Sequence, residues 1–423
     1  MGNMPIGDVA VHACTGSVGC VERNKFSIAA VQALNCMEHI IIIGGGGTGA
    51  ALAHDLTLRG FKVSLFERGE FLSGTTGRHH GLLHSGARYA VHDPVAASEC
   101  IQENRILREI APEAFEQNDG LFVALNESDL SYCNEFLESC RDCGIPAKEL
   151  TRKQALSIEP ALNPALKIAV RVPDATMDAW RLPMHFYATA AANGARLHNF
   201  SEVVGFHKTN GMVTGVHVFD YQTHRAYDVK GDIIVNAAGA WSEKICQLAG
   251  IRLPLQPGPG VMVAVRGRLT NMVVNRLNRA GEADIIVPQR RLAVLGTTLW
   301  LAQDPNKIEY PQEHVAKIVD HCAEMVPAAK AAAIHSVWAA ARPLLVQGAS
   351  QNPQQISRTF DCFDHKQRDQ LEGLVSIIGG KATTLRAMAE KAADLICGKT
   401  GRNIACRTRT EKLLHYRMFY KKN

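Results

Sequence analysis

The chain has 423 residues, 46% of them apolar and 21% charged, with a formal net charge of +5. These are the proportions of a folded globular protein with room for two domains, and they exclude a disordered or fibrous chain. The mild positive charge comes without a basic run interleaved with aromatics, and no apolar stretch reaches the ~18 residues of a membrane span. Nucleic-acid binding and a transmembrane helix are therefore set aside.

Residues 1–36 lack clear periodicity. The segment Lys25–Cys36 puts a positive residue before a short apolar run, but it leads into a strand without a small-x-small cleavage site, which argues against secretion. Met37 stands three residues before that strand and is expected to be the natural start, with residues 1–36 an extension outside the fold. Twelve cysteines are scattered rather than framed and read as reduced, cytosolic thiols. Cys140 and Cys143 form one CxxC, no second pair sits at metal spacing, and no metal site is expected.

The segment Met37–Glu67 carries the strongest signal. Ile40–Ile43 is an apolar run suited to a strand buried on both faces. Gly44, Gly46 and Gly49 then satisfy G-x-G-x-x-G: the first permits the turn, the second lets backbone N–H groups approach a pyrophosphate, and the third lets a helix pack on the strand. A helix over 50–59 stops at Gly60, and Phe61–Phe66 forms the second strand. Glu67 follows, where a carboxylate can accept hydrogen bonds from a ribose diol. The pattern names a dinucleotide without a 2′-phosphate and leaves FAD and NAD open.

The next block, Ser73–Val91, is rich in turn formers but also in His, Arg and Tyr, and its position suits the ring end of a cofactor and a substrate. Thr75 and Thr76 can donate to a pyrophosphate or ring carbonyl. Arg88 offers a planar fork for an anion with the Tyr89 phenol beside it, and His79, His80 and His84 are each possible proton acceptors. Downstream, helices are expected over 93–118, 129–143, 151–158 and 181–193, with strands at Gly120–Leu125, 212–220 and 231–239. The last of these runs into Ala237-Ala238-Gly239, where backbone can come close to a nucleotide or small residues can simply pack a turn. After Ile251 the pattern turns to hairpins, then to a helix over 311–324. A final strand at Gly373–Gly380 feeds a helix from about Thr384 to Cys397. Gly379 and Gly380 at that helix start offer N–H groups, Lys381 adds a point charge, and Arg342 before Pro343 lies in a rigid extended segment suited to an anion clamp.

This order predicts an α/β fold, a Rossmann-like dinucleotide domain (37–92, 180–250 and 345–400) interrupted by a β-rich substrate domain (93–179 and 251–344). Residues 401–423 form a basic tail without a partner pattern.

The strings GRHHGLLHSGARYAV, DGLFVAL, EPALNPAL, VPDATMDAWRL, IVNAAGAWSE, ADIIVP, LGTT, ARPL and IIGGK are spread over roughly residues 38–400. Together they resemble the FAD-dependent oxidoreductases of the glycine oxidase and D-amino-acid oxidase type. Within that group the chain is most similar to the FAD-dependent glycerol-3-phosphate dehydrogenases, nearest the large catalytic subunit of the anaerobic enzyme. The resemblance implies FAD rather than NAD, and hydride transfer from sn-glycerol 3-phosphate to give dihydroxyacetone phosphate. Electrons would then pass to a quinone through partner subunits, one of them a membrane anchor. It implies a cytoplasmic protein, peripheral at the inner face of the cell membrane.

It further implies that Arg88, Tyr89, Arg342 and Lys381 hold the substrate, and that Gly44, Gly46, Gly49, Glu67, Thr75, Thr76, Gly239, Gly380 and Lys381 hold FAD. Arginine is a poor base, so the catalytic set is taken as His80, His84 and Arg342. Three departures stand out. His79 occupies a position where the family usually has Asn, and Pro259 one where Lys is common. The family also continues into a cysteine-rich iron–sulfur domain, whereas nothing after Cys406 has cluster-ligand spacing. Two competing readings are an oxidase or dehydrogenase of another small 2-hydroxy acid or amino acid, and a non-catalytic FAD-binding protein that serves assembly.

Overall fold

Four consecutive isoleucines set the layers of the molecule. In the computed structural model, which describes residues 37–279, 282–345 and 359–421, Ile40–Ile43 lie in the strand His39–Ile43 and are at most 4% exposed. Side chains alternate along a strand. Ile40 and Ile42 therefore join one core with the helices Gly47–Leu58, Arg181–Ala192 and Leu385–Lys399. Ile41 and Ile43 join another with Val203, Val213, Val216 and Val218. Each fully buried isoleucine contributes roughly 1.5–3 kcal/mol. The expectations for residues 1–36 lie outside the described residues.

This strand is central in a six-stranded sheet of order 360–364, 374–379, 233–236, 39–43, 62–66, 196–198. All neighbours are parallel except the pair Phe360–Asp364 and Leu374–Gly379. A second, eight-stranded sheet runs 334–345, 255–266, 292–296, 285–289, 273–276, 120–124, 168–172, 148–151 and is antiparallel but for one pair. A three-stranded antiparallel sheet, Ser201–Thr209, Met212–Asp220 and Arg225–Lys230, covers the Ile41/Ile43 face.

Two elements depart from the sequence reading. The helix expected over 93–118 is Pro94–Ile110. Pro112 has no N–H to continue the ladder and disfavours the helical region for Ala111, whose φ and ψ are −143° and 57°. The strand Ile334–Leu345, expected as extended only at its ARPL end, pairs with Leu255–Arg266 along most of its length. It tolerates Pro343 because it is the edge of its sheet. The segment after residue 400 is docked: Leu413 is buried, and Thr408 Oγ1 accepts a hydrogen bond from Arg386 Nη1 at 3.0 Å. Arg386 itself is 1% exposed and is held by Glu103 and Glu390 at 2.5 and 2.8 Å.

Candidate active site

The glycine turn is built for close approach. Gly44 has φ +113°, and a Cβ there would lie 2.6 Å from the Ala237 carbonyl oxygen. A Cβ on Gly49 would lie 2.0 Å from the Gly44 carbonyl oxygen, so the helix can sit on the turn only because position 49 has no side chain. Gly46 caps that helix, and the Gly47 N–H donates to Thr76 Oγ1 at 2.9 Å. The Glu67 carboxylate accepts from the N–H groups of Gly45 and Gly69 at 2.7 and 2.9 Å. Gly44, Gly46, Glu67 and Gly239 border a cavity of about 490 Å³, within the range of ligand pockets. Gly239, with φ +54°, lets the chain leave strand Ile233–Asn236 beside this cavity. Gly49 packs beneath the turn and is not part of the wall.

A second cavity of about 290 Å³ shares Thr75, Thr76 and Gly239 with the first. Its wall carries the cationic side chains Arg88, Arg342 and Lys381 together with Tyr89 and Gly380. Arg88 sits on a single 3-10 turn entered through Gly86, whose φ is +97°. Its guanidinium meets the buried Asp284 carboxylate at 2.5 Å, which holds it charged against the opposing effect of burial. Arg342 Nη1 donates to the carbonyls of Gly258 and Thr298 at 3.3 and 3.4 Å, and Nη2 to Thr297 Oγ1 at 3.1 Å. The Lys381 ammonium lies 5.1 Å from the Tyr89 ring centroid, a cation–π contact. Thr75 donates its hydroxyl proton to the Ala341 carbonyl at 2.6 Å, so toward a ligand its oxygen serves as an acceptor.

The three histidines differ in what they can offer. His79 Nδ1 accepts from the Gly81 N–H at 2.9 Å and His80 Nδ1 from the Leu82 N–H at 3.2 Å. Each neutral ring then carries its proton on Nε2 and presents a donor. The ring of His84 makes no such bond among the described residues; it rests against Tyr89, with centroids 5.3 Å apart. Burial pushes His79 down to about 4, and burial with the charges of Lys381 and Arg88 pushes His84 down to about 3. His80 is lowered by burial and by its two histidine neighbours. All three are neutral at ordinary pH.

All the residues expected at the site except Gly49 line one or other cavity. Asp284 escaped the sequence reading although it lies in the string ADIIVP; a lone acid opening a strand gives no hint of its partner. Asp174, which accepts from the Ser85 N–H at 2.6 Å and so braces the histidine loop, escaped for the same reason. Pro259 pairs with Ala341, beside the Gly258 carbonyl that holds Arg342. Cys140 and Cys143 are buried in a core and line neither cavity, and burial pushes the Cys140 thiol up to about 12. No helix among the described residues is long and apolar enough to cross a membrane.

The chemistry of this cleft fits FAD. One end offers a side-chain-free turn, a helix start and a carboxylate; the other offers cations, a phenol and neutral imidazoles. The FAD dependent oxidoreductase (DAO) family model matches residues 39–395. The chain is 42% identical over 388 residues to the A1 subunit of the anaerobic glycerol-3-phosphate dehydrogenase of Haloferax volcanii, covering 88% of this chain and 66% of that protein. It is 40% identical over 372 residues to the corresponding anaerobic glycerol-3-phosphate dehydrogenase protein of Escherichia coli, covering 87% and 68%. The chain thus spans about two thirds of the length of these relatives. Among solved structures, glycerol-3-phosphate dehydrogenase from Bacillus halodurans complexed with FAD aligns with a TM-score of 0.69 at 25% identity, covering 92% of this chain and 70% of that one. Glycine oxidase from Bacillus cereus aligns at 0.67 and 25%, covering 86% and 95%.

Proposed function

We propose that this chain, which belongs to the FAD dependent oxidoreductase family, oxidises sn-glycerol 3-phosphate to dihydroxyacetone phosphate. The observation that carries the reading is the convergence of Arg88, Arg342 and Lys381 on a cavity that shares a wall with the dinucleotide cleft. Kinship with the anaerobic glycerol-3-phosphate dehydrogenases supports it. FAD, when bound, supplies a hydride acceptor and a route for two electrons.

The protein's own residues bind, orient and handle a proton. Gly44, Gly46 and the helix start at Gly47 receive the pyrophosphate, and Glu67 receives the ribose diol. Arg342, braced on two carbonyls and Thr297, and Lys381 hold the substrate phosphate, while Arg88 and Tyr89 orient its polar groups. His84 takes the hydroxyl proton as hydride leaves, since its ring is the one not already committed to a backbone N–H. A bound phosphate offsets the Lys381 and Arg88 charges that hold its basicity down. His80 donates from Nε2 and helps place the substrate oxygen.

The six-stranded sheet and its helices serve as the FAD domain (37–92, 180–250, 345–400), and the eight-stranded sheet as the substrate domain (93–179, 251–344). Electrons pass to a quinone through partner subunits, including a membrane anchor. The naming of its relatives as subunits supports the partner chains, and with a membrane anchor among these the chain works in the cytoplasm at the inner face of the membrane. The test is anaerobic: purified protein loaded with FAD should lose its flavin absorbance on adding sn-glycerol 3-phosphate and keep it with glycerol. Equal bleaching by a non-phosphorylated 2-hydroxy acid or amino acid would overturn the substrate assignment. The likeness to glycine oxidase makes such acids the alternative to test.

A further inference from the structure

The three-stranded sheet carries a side-chain cluster that takes no part in the proposed reaction. His207, His217 and Asp228 come from its three successive strands and project from the same face. The opposite face carries Val216 and Val218 into the core around Ile41 and Ile43. Pairing explains how two imidazoles fit side by side. His207 lies across from Gly215, and His217 across from Gly205, so neither imidazole has a side chain directly opposite it. A Cβ on Gly205 would lie 3.1 Å from His217 Cδ2.

The rings are 3.8 Å apart at their centroids, and one carboxylate oxygen of Asp228 lies 2.6 Å from His217 Nδ1 and 3.0 Å from His207 Nε2. The His207 Nε2 atom is buried and has no well-aligned hydrogen-bond partner. The three candidate ligand atoms all fall within 4.8 Å of one another.

We propose that His207, His217 and Asp228 form a binding site for a first-row divalent transition ion, with Zn²⁺ as its ordinary occupant. Two imidazoles and a carboxylate select such an ion over Mg²⁺ or Ca²⁺, and water completes a tetrahedron. Ligand atoms of tetrahedral Zn²⁺ with Zn–N near 2.0 Å stand about 3.3 Å apart, so the Asp228 oxygen, now 3.0 Å from His207 and 2.6 Å from His217, has to draw back by about 0.3 and 0.7 Å. The bound ion ties the three strands together on the face opposite their core. The site belongs to the sheet, not to the flavin chemistry. Ser201–Val203 on the same strand border the Glu67 cavity, and His207 lies four residues further along, roughly 13 Å away.

The experiment is a Zn²⁺ titration of the full chain by calorimetry, alongside His217→Ala, His207→Ala and Asp228→Asn. The exposed Asp228 makes its variant the one that keeps the fold regardless, and retained flavin content checks this in each case. One equivalent should bind to the unmodified chain, with affinity lower by roughly tenfold or more in every variant. Zn²⁺ should raise the melting temperature of the unmodified chain alone. With twelve cysteines in the chain, Co²⁺ substitution supplies the ligand signature: d–d bands without a thiolate charge-transfer band. No saturable binding, unchanged affinity in Asp228→Asn, or a thiolate band at one equivalent would each overturn the proposal.

Discussion

The two ends of the cleft are made in opposite ways. The dinucleotide end is almost a single run of chain: Gly44, Gly46, Gly49 and Glu67 fall within 24 residues, and its main contacts are backbone groups. The other end is assembled from side chains that are far apart in sequence, Arg88, Asp284, Arg342 and Lys381, brought together only when two sheets are in place. The first end should fail through backbone collisions, with the cofactor lost. The second should fail through charge, with substrate lost and cofactor kept.

Gly49→Val is expected to have the largest effect. Its Cβ collides with the Gly44 carbonyl, so soluble yield and flavin per protein should both collapse, as absorbance of the purified fraction would report. Arg342→Ala comes next: kcat/KM for sn-glycerol 3-phosphate should fall ~100-fold or more, about 3 kcal/mol, while flavin content stays at the unmodified level. Loss of flavin in that variant would erase the contrast between the two ends. Glu67→Gln should weaken FAD about tenfold, ~1.4 kcal/mol, in an apoprotein titration and leave KM unchanged.

The smallest effect is a slope. His84 stays neutral in the fold down to about pH 3, whereas in the unfolded chain it protonates near its ordinary value of about 6.5. The unfolded state therefore binds the extra proton in that interval, and stability must drop as pH falls from about 6.5 toward 3. In His84→Gln, melting temperatures measured between pH 7 and 4.5 should decline less steeply.

How much could be read in advance follows the same division. The glycine turn, its strands and Glu67 were legible because local backbone needs leave local marks: a positive φ at Gly44 and a missing Cβ at Gly49. Arg88, Arg342 and Lys381 were visible as cations in suggestive settings, and likeness to a family gathered them. The Arg88–Asp284 pair was not, because it depends on where Ile285–Gln289 falls in an eight-stranded sheet. The His207/His217/Asp228 cluster was hidden more thoroughly still. Nothing in the separate strings reveals that each histidine faces a glycine on the neighbouring strand. Register is a property of pairs of strands, and a linear pattern does not carry it. The helix ending at Ile110 is the reverse case, since Pro112 stands in plain view in the sequence and marks the stop.

The hydrogen bond from Thr75 to the Ala341 carbonyl has a mechanical meaning. Ala341 adjoins Arg342, and three residues further back Trp338 Nε1 donates to the Arg78 carbonyl at 2.7 Å. The loop of Thr75 and Arg78 and the strand that carries Arg342 are thus riveted at two points. Hydride transfer tolerates misplacement of only a fraction of an ångström, and in the proposed reaction these rivets set the gauge between the flavin track and the phosphate track before either passenger arrives.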